Sequence, residues 1–373
     1  LNIVSSKIYT KYRKENWHSK YLHSHTLQET IINVISNYKS YIKLQEMYEK
    51  DKTSLKGKPR FPRFKNKIEN QEIVFTKYAI RIEGNMLKLS ISKSMQEKYQ
   101  VKSINFLISR KLKRLVDFSS IKMIKIREIN ENIEMNMIYE RKEKNKEVGK
   151  NIMSIDVGLN NIIACTNKDN TNMIIVSGKP LKSKNKYIVQ KINKLQQIQM
   201  KMLKESKKYV NTKQIKSLYE KRKNYINTYL HKVSKIAIEY AKENKCGKIV
   251  IGDIKGIKQN MKNNKNFVQI PVMQVVEKIK YKAKLENIEV ILIRESYTSG
   301  VSAIDKEEIT KENYNKKRRI SRGIFVSNKG KKINADINGS LNILRKYINK
   351  SSPNQEIAMD KGREQRPLKK RVA

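Results

Sequence analysis

The fold is decided by residues 152–158, which read IMSIDVG. This run of strand-forming residues holds one carboxylate, Asp156, and ends at a glycine. The next apolar runs, at residues 162–165 and 173–176, have the length and composition of short strands. We therefore predict a sheet that begins with three consecutive strands and carries an acid near the end of its first strand.

The sequence that follows predicts an α/β fold. Residues 185–245 are expected to form two antiparallel helices, because their apolar residues recur on one face of each helix. Strands at 248–252 and 288–293 then alternate with helices at 271–285 and about 338–347. Between the last strand and the last helix lies a polar, basic insertion at 297–332.

Two further segments precede this region. Residues 1 to about 60 show apolar steps of three and four residues, at positions such as Leu27, Ile31 and Tyr38, and predict helix. Residues from about 70 to 145 predict short strands, with a hairpin turn at Gly84-Asn85. We expect a helical segment at 1–65, a β-rich domain at 66–147, an α/β domain at 148–350 and a flexible tail at 351–373.

The chain is strongly basic, with 82 Lys and Arg against 35 Asp and Glu in 373 residues and a net charge of +47. Such an excess favours a polyanionic partner, first nucleic acid and second an anionic membrane surface. The apolar runs are too short to span a bilayer, and no secretory signal is evident. Two cysteines, Cys165 and Cys246, cannot make a four-thiolate site and indicate a reducing compartment.

Residues 57–65 read GKPRFPRFK and cannot form a helix, because of their prolines and glycine. Cations that alternate with aromatic rings in an extended segment suit nucleic acid, although an ordinary linker is equally consistent with the pattern. We expect nucleic-acid contacts from this segment, from the basic insertion and from one helix. The residues are Lys58, Arg60, Arg63, Lys65, His231, Lys316, Lys317, Arg318, Arg319 and Arg322.

Common catalytic motifs such as GxSxG, the Walker loop and HExxH are absent. The histidines near the start, His18, His23 and His25, lack the cysteines or acids of a metal site and are interpreted as a solvated helix edge. Three acids stand out instead in apolar surroundings: Asp156, Glu295 and Asp336. If they converge, they would bind hard divalent cations such as Mg²⁺, and in a basic chain they favour a nuclease.

At this point the sequence resembles the TnpB (OrfB) family of bacterial insertion sequences. Residues 153–161 (MSIDVGLNN) are similar to its first RuvC motif, and residues 333–346 (INADINGSLNILRK) to its third. Residues 266–271 (NFVQIP), 281–285 (YKAKL) and 295–299 (ESYTS) also match one branch of the family. The resemblance covers about residues 30 to 350.

The resemblance implies an RNase H-like RuvC core with a helical insertion, preceded by a recognition-like helical segment and a wedge-like β-rich domain. It implies an RNA-guided DNA endonuclease that assists transposition in the bacterial cytoplasm. Its partners would be a guide RNA from the transposon end and double-stranded target DNA. Two Mg²⁺ ions, which Mn²⁺ can replace, would be held by Asp156, Glu295 and Asp336 as catalytic residues.

Three departures from the family pattern matter. The usual catalytic Glu at the end of the 248–252 strand is replaced by Gly252, so Glu295 is expected to be the relocated acid, with Asp253 as a rival on the opposite face. The insertion at 297–332 has no cysteine, so no zinc is expected. The chain also begins later than its relatives, which puts target recognition in question. The alternatives are a nuclease-inactive guided DNA-binding protein, a truncated transposase remnant, and a basic nucleic-acid-binding protein with an inert core.

Overall fold

The computed structural model describes most of the chain. The described residues are 3–63, 72–129, 132–141, 147, 149–169, 172–203, 211–253, 270–321, 323–351, 357, 364 and 366–372. They form two compact units, Leu1–Lys142 and Glu143–Ala373. No helix in these ranges is both long enough and apolar enough to cross a membrane.

The first unit opens with two helices, α1 (Ile3–Glu15) and α2 (Ser24–Lys50). The side chain of His23 caps α2 by accepting from the backbone N–H of His25. Only Thr26, Leu27 and Ile31 of α2 are buried. The apolar face that the sequence predicts is therefore covered in the first two turns alone, and Tyr38 further along is 47% exposed.

Two antiparallel three-stranded sheets complete this unit. Its strands and short helices are β1 (Ile73–Thr76), β2 (Ile80–Glu83), β3 (Met86–Ser90), α3 (Lys93–Tyr99), β4 (Ser103–Leu107), α4 (Arg110–Leu115), β5 (Ile121–Ile129) and β6 (Asn132–Tyr139). The sheet orders are β1-β5-β6 and β2-β3-β4. The predicted hairpin joins β2 to β3, where Gly84 has a φ of +58° that a side chain would disfavour.

The second unit contains a six-stranded sheet in the order β11-β10-β7-β8-β9-β14. Its elements are β7 (Asn151–Val157), β8 (Asn161–Asn167), β9 (Ile174–Ser177), α5 (Lys179–Met202), α6 (Lys213–Glu243), β10 (Cys246–Asp253), α7 (Met273–Leu285), β11 (Glu289–Arg294), β12 (Ile324–Val326), β13 (Lys332–Asn334), α8 (Ala335–Ser351) and β14 (Leu368–Lys370). Strands β7, β8 and β9 are antiparallel, whereas β10 is parallel to both β7 and β11.

The central strands β7, β8 and β10 are buried over most of their length because both faces of the sheet are covered. Met153 and Ile155 of β7 are fully buried in a cluster that includes residues of α6 and α7. On the other face, Ala164 of β8 packs with Ile337 and Leu341 of α8. This packing fixes the end of β7 against the first turns of α8.

Two boundaries differ from the sequence-based expectation. Helix α8 begins at Ala335, three residues earlier than predicted, because the Asn334 side chain accepts from the N–H groups of Asp336 and Ile337 at 3.0 and 3.2 Å. The tail expected to be flexible supplies strand β14, which pairs in parallel with β9. The short, charged sequence of β14 carries no apolar run that could have signalled it.

Candidate active site

Asp156 lies one residue before the end of β7 and points toward α8. An ideal Cβ on Gly339 would lie 2.6 Å from its Oδ2 atom. Any side chain at residue 339 would therefore force the carboxyl group away, and Gly339, in the stretch similar to the third RuvC motif, allows the acid to approach the helix. Sequence and packing together thus bring the first acid to the start of α8.

Glu295 directly follows β11, whose register pairs Gly252 of β10 with Ile293. Its carboxyl group occupies the space that a side chain on Gly252 would fill. The Oε1 atom of Glu295 is buried and has no hydrogen-bond partner in the structure. A buried carboxylate oxygen without a partner is costly, and a bound cation is one way to satisfy it.

Asp336 lies in the first turn of α8, where the helix dipole favours an acid. Both of its oxygens are engaged. Oδ2 accepts from the side-chain amide of Asn161 at 2.6 Å, and Oδ1 accepts from the guanidinium of Arg319 at 3.0 Å. Arg319 thus supplies a positive charge at the third acid.

The three predicted acids influence one another electrostatically. Burial, followed by the charges of Glu295 and Asp336, raises the pKa of Asp156 well above its usual range. Arg319 and a backbone hydrogen bond act in the opposite direction. Burial, followed by the charge of Asp253, raises the pKa of Glu295 to about 7. Asp253, expected on the opposite sheet face, is therefore close enough to act on Glu295.

The donor set suits a divalent cation, because Mg²⁺ prefers carboxylate oxygens and Glu295 Oε1 is without a partner. The side chains are not gathered around a single point, however. Within the described ranges no group of three or more His, Cys, Asp or Glu side chains is arranged to hold a metal ion. Carboxylates are suitable ligands for a divalent cation, and a bound cation would offset the repulsion of Asp156 by Glu295 and Asp336. One oxygen of Asp336, however, accepts a hydrogen bond from the Arg319 guanidinium.

Buried asparagines hold the loop after Glu295 against α8. Asn338 donates to Val301 O at 2.8 Å and accepts from Ala303 N at 2.9 Å. Asn342 donates to Thr298 O and Val301 O, each at 2.8 Å. Sequence reasoning missed this role, although two asparagines four residues apart in an apolar helix are a signal for it.

The basic insertion folds around Arg318, and the predicted contact of this residue with nucleic acid stays a prediction. Its guanidinium donates to both oxygens of Glu307 at 2.9 and 2.8 Å, and to Asp305 at 3.4 Å. The side chain is only 13% exposed and lies over the Phe325 ring. Asp305 and Glu307 thus supply negative charge at Arg318, whereas Lys316 and Lys317 are exposed.

The other predicted nucleic-acid residues fall in both units. Lys58, Arg60 and Arg63 are exposed in the first unit, and Phe61 between them packs edge-on against Tyr41 with ring centroids 5.4 Å apart. His231 lies on α6 in the second unit. Lys65 and Arg322 lie outside the described residues.

Comparison with known proteins agrees with this architecture. Residues 134–258 match the OrfB_IS605 family, described as "Probable transposase", and residues 273–343 match the Cas12f1-like TNB domain. A Cas12f1–sgRNA–target DNA complex solved by cryo-EM aligns with a TM-score of 0.62 at 18% identity, over 92% of this chain and 75% of that chain. A CRISPR-Cas12f ternary complex aligns with a TM-score of 0.41 at 16% identity, over 95% and 75% of the two chains. None of the curated proteins compared matches at a significant level.

The sheet order and the placement of the acids define a RuvC-like fold of the RNase H class, which the Cas12f1 alignment supports. The two family-model matches, at residues 134–258 and 273–343, support the resemblance of the chain to the TnpB (OrfB) family.

Proposed function

We propose that the protein is an RNA-guided DNA endonuclease in which Asp156, Glu295 and Asp336 hold Mg²⁺. The observation that supports the proposal is that Glu295, after β11, and Asp336, at the start of α8, are close enough to act electrostatically on Asp156 near the end of β7. The bound ions would activate a water molecule and stabilise the leaving oxygen of a phosphodiester. The cysteine-free insertion, stabilised by Arg318, would place Arg319 beside the site.

The same proposal accounts for the charge of +47. A protein that holds a guide RNA, a heteroduplex and a displaced strand needs cations spread over a long path. Exposed Lys58, Arg60, Arg63, Lys316 and Lys317 would contribute to that path. The solved Cas12f1 structure that shares this fold is a complex with sgRNA and target DNA.

The test is cleavage of a plasmid that carries a target matched to the RNA copurified with the protein. We expect cutting in Mg²⁺ and none in EDTA. Asp156→Asn, Glu295→Gln and Asp336→Asn should each lower cleavage at least about 100-fold while RNA binding is retained. Glu308→Gln, an exposed acid of the insertion, is the matched control and should cut at the parent rate. Target binding without any cutting would overturn the nuclease assignment.

A guided DNA-binding protein without cleavage is the second candidate, and the Arg319–Asp336 contact favours it. If Arg319 never leaves Asp336, the third acid stays unavailable to a metal. Calorimetric titration of Mg²⁺ into the protein distinguishes the two candidates. Binding that is lost in Asp336→Asn supports the nuclease, and its absence in the parent protein supports the binding-only function.

A further inference from the structure

An exposed aromatic patch lies in the first unit, where the chain passes from α1 to α2. Trp17, the one tryptophan in the sequence, begins a short 3₁₀-helix (Trp17–Lys20) and is 62% exposed. The His18 ring lies against the indole with centroids 3.8 Å apart, and the Tyr21 ring meets it edge-on at 5.7 Å. Much of a large, flat, apolar ring is therefore open to solvent.

Hydrogen bonds hold this turn in place. The Asn16 side chain accepts from the backbone N–H of His18 at 3.0 Å, and the buried Ser19 hydroxyl donates to the Asn16 carbonyl at 2.7 Å. The Tyr21 carbonyl accepts from the Ser92 hydroxyl at 3.0 Å, which joins the turn to the start of α3. The indole is thus presented on an anchored turn, and a preorganised ring gives up little conformational freedom when it binds a partner.

Helix α3 adds a cation and a third ring to the patch. The Lys98 ammonium is 5.5 Å from the centroid of the Tyr21 ring and 5.5 Å from that of the Tyr99 ring. Tyr99 is 57% exposed. A positive charge is therefore held by cation–π contacts among exposed rings.

A cavity of about 440 Å³ adjoins the same turn and is lined by further cations. Arg13, Lys20 and Lys93 contribute to its wall, and no Asp or Glu is among the described residues that line it. Arg13 donates to the Tyr9 hydroxyl at 2.7 Å through one of its nitrogens, so other N–H groups of the guanidinium remain for a ligand. The cavity therefore suits a negatively charged group.

The charge of the elements around the patch is positive as well. The acids of α1, the 3₁₀-helix and α3 are Glu15 and Glu97. The cations of the same elements are Lys7, Lys11, Arg13, Lys14, Lys20, Lys93 and Lys98. An anionic partner is favoured here, and both a nucleic acid and an anionic membrane surface meet that condition.

The flat contact between His18 and Trp17 favours nucleic acid. A nucleobase on the open side of the indole would continue the stack that the His18 ring begins, while cations bind the phosphates of the same strand. An acyl chain has no flat group that could do so. In a duplex both faces of a base are covered by its neighbours, so the base that stacks here must be unpaired.

We propose that Trp17 is a stacking platform for an unpaired nucleobase, with Lys98 and the cations of the adjacent cavity binding the phosphates of that strand. The proposal rests on the nucleic-acid binding in the function proposed above, but not on cleavage, and adds a specific site in the first unit. A single-stranded part of an RNA and a displaced DNA strand offer the same chemistry, so the test includes both.

The emission of Trp17 reports on the site directly, because no other tryptophan is present in the sequence. Titration with a short single-stranded RNA, and with DNA of the same sequence, should quench this emission as a base stacks on the indole. Quenching by one of the two strands alone supports the platform and identifies the sugar of its occupant. A long duplex of that sequence should bind with much less quenching, since its bases are paired and covered. Equal quenching by the duplex would overturn the proposal.

Two anionic partners without nucleobases are the controls for charge. Heparin should bind the cations with little change in emission. Vesicles of phosphatidylserine and phosphatidylcholine should leave the emission wavelength unaltered. If heparin quenches as strongly as the single strands, the signal reports charge and the platform is wrong. A blue shift with vesicles, without a response to either strand, would assign the patch to a membrane surface instead.

A pair of substitutions separates the aromatic face from simple apolar bulk. Trp17→Leu should weaken binding of a labelled single strand about 5- to 100-fold, whereas Trp17→Phe should retain most of the affinity. The comparison is made at high salt, where phosphate contacts elsewhere contribute least, and Trp17→Leu should leave the log–log salt slope unchanged. Leu107→Ala, at a residue of the same unit that is 77% exposed, is the matched control and should bind like the parent. Equal affinities for Trp17→Leu and Trp17→Phe would overturn the stacking role.

The outcomes also separate the platform from the function on which it rests. A parent protein that binds neither strand would overturn both proposals. Tight binding with unchanged Trp17 emission, and with the parent affinity in Trp17→Leu, would overturn the platform and leave the proposed function standing. Quenching without any plasmid cleavage would support the platform and argue for the binding-only function.

Discussion

The carboxyl group of Glu295 fills the space beside Gly252 that a side chain at residue 252 would occupy. The two residues lie at the ends of adjacent parallel strands, since Gly252 pairs with Ile293. The Glu295 side chain thus fits into space that is open because residue 252 has no side chain. This complementarity is the physical basis for assigning the acid of this site to Glu295.

Replacement of Gly252 should therefore inactivate the protein through Glu295. In Gly252→Ala the new methyl group overlaps the Glu295 carboxyl group, so the acid must move. We expect plasmid cleavage to fall at least about 10-fold, because small displacements of catalytic groups are costly. RNA binding, measured by filter retention, should be unchanged.

Gly57→Ala is the control for this prediction, because nothing lies within 4 Å of a Cβ at that residue. It should cut and unfold like the parent. If Gly252→Ala cuts at the parent rate, Glu295 is not the relocated acid.

The raised pKa of Glu295, about 7, predicts a pH dependence of stability in EDTA. The folded state holds the Glu295 proton more tightly than the unfolded state. Its stabilising contribution is therefore present below about pH 4.5 and is lost as the pH rises through about 7. In Glu295→Gln the buried side chain cannot ionise, so the protein no longer loses stability as the pH rises. The substitution should therefore raise the free energy of unfolding at pH 8 by roughly 1 to 3 kcal/mol and change it little at pH 5. Urea unfolding at both pH values, with Glu308→Gln as control, measures the difference. Equal effects at the two pH values would contradict the prediction.

Arg319 should stabilise the metal-free protein by balancing the charge of Asp336. Its guanidinium is 42% exposed, so solvent screening limits the effect. In EDTA, Arg319→Gln should lower the free energy of unfolding by about 0.5 to 1 kcal/mol. In saturating Mg²⁺ the loss should shrink, because the ion replaces the missing charge.

Lys317→Gln removes an exposed charge two residues away and should show no such dependence on the ion. Thermal unfolding measures the loss of stability of Arg319→Gln relative to the parent, with and without Mg²⁺. An equal loss under both conditions would show that Arg319 and the metal do not share Asp336.

Arg318 should hold the insertion together. Asp305 and Glu307 have side chains only 8% and 13% exposed, so Arg318→Met would leave two poorly solvated carboxylates without their main cation. We expect a loss of roughly 3 kcal/mol in the free energy of unfolding. Lys316→Met, at an exposed residue of the same turn, is the matched control. Equal unfolding temperatures for the two variants would refute a structural role for Arg318.

Much of the second unit could be predicted from sequence because its signals are local. The apolar run around Asp156 predicted β7, and the motif around Asp336 predicted the start of a helix. Glu295 and Asp336 act electrostatically on Asp156, although the described side chains do not form a group of three arranged to hold a metal ion. Their assignment as metal ligands stays a prediction.

Other features depend on contacts between residues far apart in sequence. Arg318 belongs to a run of four cations, and only the folded loop shows that Glu307 neutralises it. Asn342 reaches Thr298, 44 residues away, and no local pattern specifies that partner. Asp253 was assigned to the opposite face by strand alternation, yet the end of β10 brings its charge close to Glu295.

Strand β14 limits where the chain can be truncated or joined to a tag. It covers the outer edge of β9, and Val372 just beyond it packs against the main apolar cluster. A chain cut after residue 351 would leave the backbone groups of β9 unpaired, and such an edge is a template for aggregation. Expression tags and fusion partners are therefore better joined through a spacer after residue 372 than in place of the last residues.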